Sequence, residues 1–168
     1  KEQYGGILCD IASHQFDQFL HFSGATDATV LSATVGNKNN PEYPELEDFG
    51  DVHLVGNNGT TNYIRVDWLT PSASRTWGDG RTFILGTKGY IELRKNVEIA
   101  RPEEQPDQLY LVNDEVEKRF SLQGQVGFPF FGQLILDCLD RTENAMTQVH
   151  AFKAAELCLL AQEKAARL

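Results

Sequence analysis

Hydrophobic and polar positions change rhythm three times along this chain. From Gly6 to Phe22 they follow a helix: Leu8, Ile11, Ala12, Phe19 and Leu20 fall on apolar faces, while Asp10, His14, Asp17 and His21 recur at spacings of four, three and four. Ser23-Gly24 closes the segment, with Gly24 suited to a C-terminal cap. Thr29 to Val35 is β-branched and reads as a strand. Gly36 to Asp48 is a polar loop containing Pro41 and Pro44. A loop of that length is either a surface excursion or the border of a site.

The middle of the chain alternates with a period of two. Asp51 to Val55 is a strand, Asn58-Gly59 signals a hairpin, and Thr60 to Leu69 sets Ile64, Val66 and Trp68 against Tyr63, Arg65 and Asp67. Arg81 to Leu85 and Tyr90 to Arg94 are strands joined through Gly86-Thr87-Lys88-Gly89. Gln108 to Val112 and Val116 to Phe120 form a further hairpin, turning at Asn113 to Glu115.

The last third returns to helical spacing. Pro129 is placed to start a helix in which Phe131, Leu134, Ile135, Cys138 and Leu139 repeat. Thr147 is an N-cap for a final helix running to Ala166. A helix, about seven hairpin-linked strands and two helices make an α+β fold, a largely antiparallel open sheet with helices on one face. The other face keeps apolar and aromatic residues, and such a face packs on another subunit or domain.

Composition bounds the partners. The chain has 168 residues, enough for one domain with a real core, and 41% are hydrophobic. Fifteen Lys and Arg against 24 Asp and Glu give a net charge of -9. With no basic run, nucleic acid and anionic membrane are not expected as partners. There is no membrane-length apolar run and no signal peptide. Cys9, Cys138 and Cys158 lie in apolar helical contexts without a CxxC pair, and read as buried reduced thiols of a cytoplasmic protein. The chain opens at Lys1 with a chemistry-bearing helix almost at once, which suggests a fragment lacking an N-terminal part.

Candidate chemistry concentrates in the first helix. A continuous helix gathers Asp10, His14, Asp17 and His21 into an arc roughly 60° wide. An Asp–His pair one turn apart can share a hydrogen bond that fixes the imidazole tautomer and suits acid–base work. A solvated polar helix face has the same spacing. One metal ion cannot reach all four residues, strung over ~16 Å of axis. A two-ligand site would need a completing residue, and nothing in the sequence places His53 or His150 nearby. No metal site is assigned.

Elsewhere the signals are weaker. Gly86-Thr87-Lys88-Gly89 lacks the Walker spacing, and no G-x-G-x-x-G or G-x-S-x-G occurs, so the chain carries no dinucleotide fingerprint. Trp77-Gly78-Asp79-Gly80-Arg81 reads as a ligand-edge loop or as a turn with an aromatic tucked on the sheet. Arg65, Asp67 and Trp68 could line a polar pocket or form a cross-strand ladder.

Two segments carry a family resemblance. Tyr4-Gly5-Gly6-Ile7-Leu8-Cys9-Asp10-Ile11-Ala12-Ser13-His14-Gln15-Phe16-Asp17 resembles the GG-x-x-x-D-x-x-x-H-x-x-D segment of the glucose–fructose oxidoreductase / inositol dehydrogenase (Gfo/Idh/MocA) family. Trp77 to Arg81, followed by Leu85-Gly86-Thr87-Lys88-Gly89-Tyr90-Ile91-Glu92-Leu93, resembles that family's later hairpin. The resemblance implies that residues 1–168 are a C-terminal substrate-binding and oligomerisation domain. The Rossmann domain that binds NAD or NADP would lie outside it. It implies His14 as the acid–base on a substrate hydroxyl and Asp10 as its helper or a substrate ligand; Trp77, from its ligand-edge loop, is the further candidate substrate contact. Asp17 takes a structural place and His21 none. The implied substrate is a sugar, cyclitol or related polyol, and the implied partner is a second copy bound through the open sheet face. The family's glutamate-lysine-proline motif is absent, so the isolated chain is expected to be inactive. A non-catalytic assembly module that dimerises through its sheet is the alternative.

Overall fold

The computed structural model describes residues 5–97 and 106–168, so Tyr4 of the family-like segment lies outside the described residues. The chain divides into two compact units, residues 1–69 with 130–168, and residues 70–129.

In the first unit, strands β1 (Ala28–Gly36), β2 (Phe49–Gly56) and β3 (Thr61–Asp67) form an antiparallel run in the order β3-β2-β1. A short strand, β8 (Ala166–Arg167), adds to β1 in parallel. Helices α1 (Ile7–Asp10), α2 (Ser13–Ser23) and α4 (Gln148–Lys164) cover one face of this sheet. The alternation decides which face. Val52 and Leu54 of β2 and Ile64 and Val66 of β3 point into the core, and His53, Tyr63 and Arg65 point away. A bulge between Val30 and Ser32 resets the phase of β1, leaving Leu31 exposed while Val30, Ala33 and Val35 are buried. From α4, Ala154, Leu157, Cys158 and Ala161 repeat at helical spacing and close the core against Phe16, Phe19 and Leu20. Thr147 Oγ1 accepts the amide of His150, the expected N-cap, and Gly24 ends α2 in the left-handed region at φ 70°.

The second unit is a four-stranded antiparallel meander, β4 (Arg81–Gly86), β5 (Gly89–Arg94), β6 (Gln108–Asn113) and β7 (Glu117–Ser121). The Thr87-Lys88 loop joins Gly86 to its partner Gly89, and Asn113 Oδ1 accepts the Glu115 and Val116 amides at the next turn. Ile84, Ile91, Leu93, Leu109 and Leu111 share one face; Phe83, Leu85 and Tyr90 share the other and are exposed.

The architecture is α+β and largely antiparallel, with the strands divided between two sheets where one was expected. Two further expectations change. The apolar row of α3 (Pro129–Asp140) does not enter a core: Phe131, Ile135 and Leu139 are exposed, and Asp137 is the helix's buried residue among those described. Cys138 is exposed on the same helix; Cys9 is half-buried and Cys158 buried, all three as free thiols. Spacing identifies an apolar stripe, but not whether a partner lies within the same chain.

Candidate active site

The segment expected to be one helix is two. At its start, Gly6 (φ 91°) turns the chain so that Ile7 N–H donates to Glu47 Oε2 (3.1 Å) and Leu8 N–H to Gln162 Oε1 (3.2 Å). Glu47, buried at the end of the β1–β2 loop, also accepts from Gln162 Nε2 (2.9 Å) and Arg167 Nη1 (3.3 Å). The orphan amides of α1 are thus satisfied by side chains from a loop and from α4. The break falls at Ile11–Ala12. Ala12 N–H reaches five residues back to Ile7 O, Gln15 N–H only three back to Ala12 O, and the Ser13 hydroxyl donates to Asp10 O. A loosened turn followed by a tight one, with a serine competing for the backbone, ends α1 and starts α2.

Asp10 therefore closes α1 while His14 opens α2. Both are exposed, and among the described residues neither side chain makes a hydrogen bond or ion pair. The expected Asp10–His14 hydrogen bond is not formed, because the break separates the two residues into different helices. Asp17 is engaged: its Oδ1 lies 2.6 Å from His150 Nε2, across the α2–α4 contact. His150, which the sequence could not place, thus joins this surface. His21 is exposed and edge-on to Phe22. His53 lies on the other face of the sheet against Tyr63, with ring centroids 4.9 Å apart.

The remaining candidates lie on other elements. Trp77 belongs to the second unit and is 76% exposed, in a loop where Thr76 Oγ1 and Asn96 Nδ2 both donate to Gly78 O. Arg65 pairs along its own strand with Asp67 (3.5 Å) and lies over the ring of Phe49 on the neighbouring strand. A cleft of about 450 Å³ opens between the β1–β2 loop and β8, lined by Asn37, Lys38, Asn39, Pro44 and Arg167 and by none of the predicted site residues. Asp48 holds that loop by accepting the Lys38 and Asn39 amides and Asn40 Nδ2. Burial pushes the Asp48 carboxyl up, but those donors outweigh it and hold it below its usual range.

Among the described residues no three His, Cys, Asp or Glu side chains gather as a metal-holding cluster. No helix there is long and apolar enough to cross a membrane. The glycine turn at Gly86–Gly89 is a hairpin between two strands, not the mouth of a helix, so this turn does not form a pyrophosphate cradle.

The family model for the GFO/IDH/MocA C-terminal domain matches residues 1–92, the stretch that holds Asp10, His14, β4 and the first part of β5. The chain belongs to this family. A crystal structure of a "putative oxidoreductase" from Erwinia carotovora atroseptica SCRI1043 is similar over 100% of the chain at 52% identity and TM-score 0.95. A "putative oxidoreductase" from Thermotoga maritima shares the fold over 98% of the chain at 21% identity and TM-score 0.81. So does KijD10, a 3-ketoreductase from Actinomadura kijaniata solved with NADP and TDP-benzene, over 97% at 14% identity and TM-score 0.63. The chain spans 50%, 46% and 47% of these three proteins, about half of each. It matches no curated protein. By family and by fold this is a Gfo/Idh/MocA C-terminal domain.

Proposed function

We propose that this domain carries the acid–base residues of an NAD- or NADP-dependent dehydrogenase acting on a hydroxyl of a sugar, cyclitol or related polyol. The observation that supports it most is the presentation of Asp10 and His14. Both side chains are open and unpaired among the described residues, four positions apart across the Ile11–Ala12 break, on a segment whose first turn is fastened by Glu47 and Gln162. Fixed backbone with free acid and imidazole groups suits a site closed by another surface. In this reading His14 takes the hydroxyl proton, and Asp10 orients the hydroxyl or the protonated ring. The nicotinamide, which supplies the hydride acceptor, is bound by a Rossmann domain outside residues 1–168, and the isolated chain is inactive. The 52% identical oxidoreductase, twice the length of this chain, supports that division.

The test is a His14→Ala exchange in the full-length protein, assayed with hexoses and cyclitols and either nicotinamide. We expect kcat to fall by about 10²–10⁴ with KM little changed. An unchanged kcat across the pH range removes His14 from this role.

A second reading, an assembly module that dimerises through its sheet, draws on Phe83 (62% exposed), Leu85 (81%) and Tyr63 (54%) on open sheet faces. Sedimentation decides it: a strict monomer at high concentration rules it out.

A further inference from the structure

Asp17 and His150 stand 133 residues apart in sequence and meet at 2.6 Å, Oδ1 to Nε2. Asp17 follows His14 by three positions on α2, a spacing that puts Cβ atoms about 5–6 Å apart on a helix surface. His150 occupies the first turn of α4, and its ring reaches across the α2–α4 contact to the same stretch of α2. The N-cap bond uses the His150 backbone amide, which donates to Thr147 Oγ1, and leaves the ring out of helix capping. The side chains of His150 and Asp17 are 25% and 39% exposed, so solutes can reach the pair. Among the described residues the ring's other nitrogen, Nδ1, makes no hydrogen bond.

We propose that His150, held by Asp17, is a second acid–base imidazole beside His14 and works through Nδ1. The inference rests on the reading of Asp10 and His14 as a hydroxyl-handling site. A carboxylate that accepts from Nε2–H selects that tautomer and leaves the lone pair on Nδ1. When Nδ1 takes a hydroxyl proton, the O–H bond breaks, the N–H bond forms, the oxygen keeps the electron pair, and Asp17 offsets the positive charge of the ring. The ligand class is a hydroxyl-bearing molecule that touches His14 and His150 together, which a polyol does and a simple alcohol does not.

Long-range ¹H–¹⁵N correlation spectra of the imidazoles at about pH 8.5, where an ordinary histidine is neutral, read the tautomer in the intact chain. We expect His150 with a protonated Nε2 and a bare Nδ1, and a mixture of tautomers in Asp17→Asn. A ring protonated at Nδ1, or spectra unchanged by Asp17→Asn, overturns the proposal. Carbethoxylation by diethyl pyrocarbonate, located by mass spectrometry in the unmutated chain, reads whether Nδ1 is an open nucleophile. We expect His150 to react at a rate comparable to exposed His21. A rate tenfold or more slower marks the pair as a staple between helices and also overturns the proposal. Neither measurement uses turnover, so failure here leaves the His14 reading intact, and failure of the His14→Ala test leaves these results unchanged.

Discussion

The side-chain amide of Gln162 fills the space that a side chain on Gly6 would need. Gly6 also sits at φ 91°, where an L-residue is strained. The two demands coincide because Gln162 approaches closely enough to accept the Leu8 amide just beyond Gly6. Gly6→Ala is therefore expected to cost about 2–4 kcal/mol, from backbone strain plus overpacking. That lowers the melting temperature by roughly 5–15 °C for a chain of this size. A calorimetric scan within about 1 °C of the parent contradicts this account.

Glu47 ties the same corner together from the other side, with Ile7, Gln162 and Arg167 converging on one buried carboxylate. Removing it in Glu47→Ala leaves the Ile7 amide without its acceptor, at an expected cost of about 2–4 kcal/mol. Arg167 contributes little of this, since its side chain is 41% exposed and water replaces its partner. Glu47→Gln keeps an oxygen for the amide and is expected to lose less than half as much. Urea unfolding with an unchanged slope gives both values, and equal losses for the two variants refute the capping role.

Local pattern and tertiary geometry contributed differently to what could be read in advance. The seven main strands, the Thr147 cap and the Gly24 cap were legible because each is written in a period of two, a turn residue or a cap residue within a few positions. The break at Ile11–Ala12 was not, because apolar periodicity continues through it. The anchoring of the first turn of α1 by Glu47 and Gln162, some 40 and 154 residues from the amides they bind, was not legible either. The pairing of Asp17 with His150 is invisible for the same reason. Strand β8 is two residues long, too short to show alternation. Asp10 and His14 were legible as a spacing, but the spacing carried no information on whether the two would bond.

Asp137 gives a pH signature. The Ala145 amide (2.7 Å) and the Thr142 hydroxyl (2.6 Å), helped by Asn144 and Gln133, hold its carboxyl well below the usual range, with burial working the other way. A carboxyl whose folded pKa is depressed stabilises the fold above its unfolded pKa of about 4, and that contribution is lost as pH falls toward the folded value. Unfolding free energy is therefore expected to drop below about pH 5, and Asp137→Asn to flatten the drop. Asp48 shifts in the same direction and keeps its share in the variant, so the difference between the two curves is the measurement. Parallel curves exclude the effect.

The three thiols separate by environment. Cys158 is buried in the core, donates to the Ala154 carbonyl (3.0 Å), and is pushed up to about 12 by burial, with Cys9 adding to the effect. Its thiolate fraction at pH 8 is then on the order of one in ten thousand. Cys9 shifts upward too, through burial first and the Glu47 charge second. Cys138 is exposed on α3. Titration with a coloured aromatic disulfide at about pH 8 is expected to show one fast thiol, a slower second, and a third released only on unfolding. Peptide mapping should place the fast label on Cys138. Prompt labelling of Cys158 in the folded chain would mean that α4 leaves the sheet readily, and the packing of Leu157 and Ala161 would then fail as the account of what holds it there.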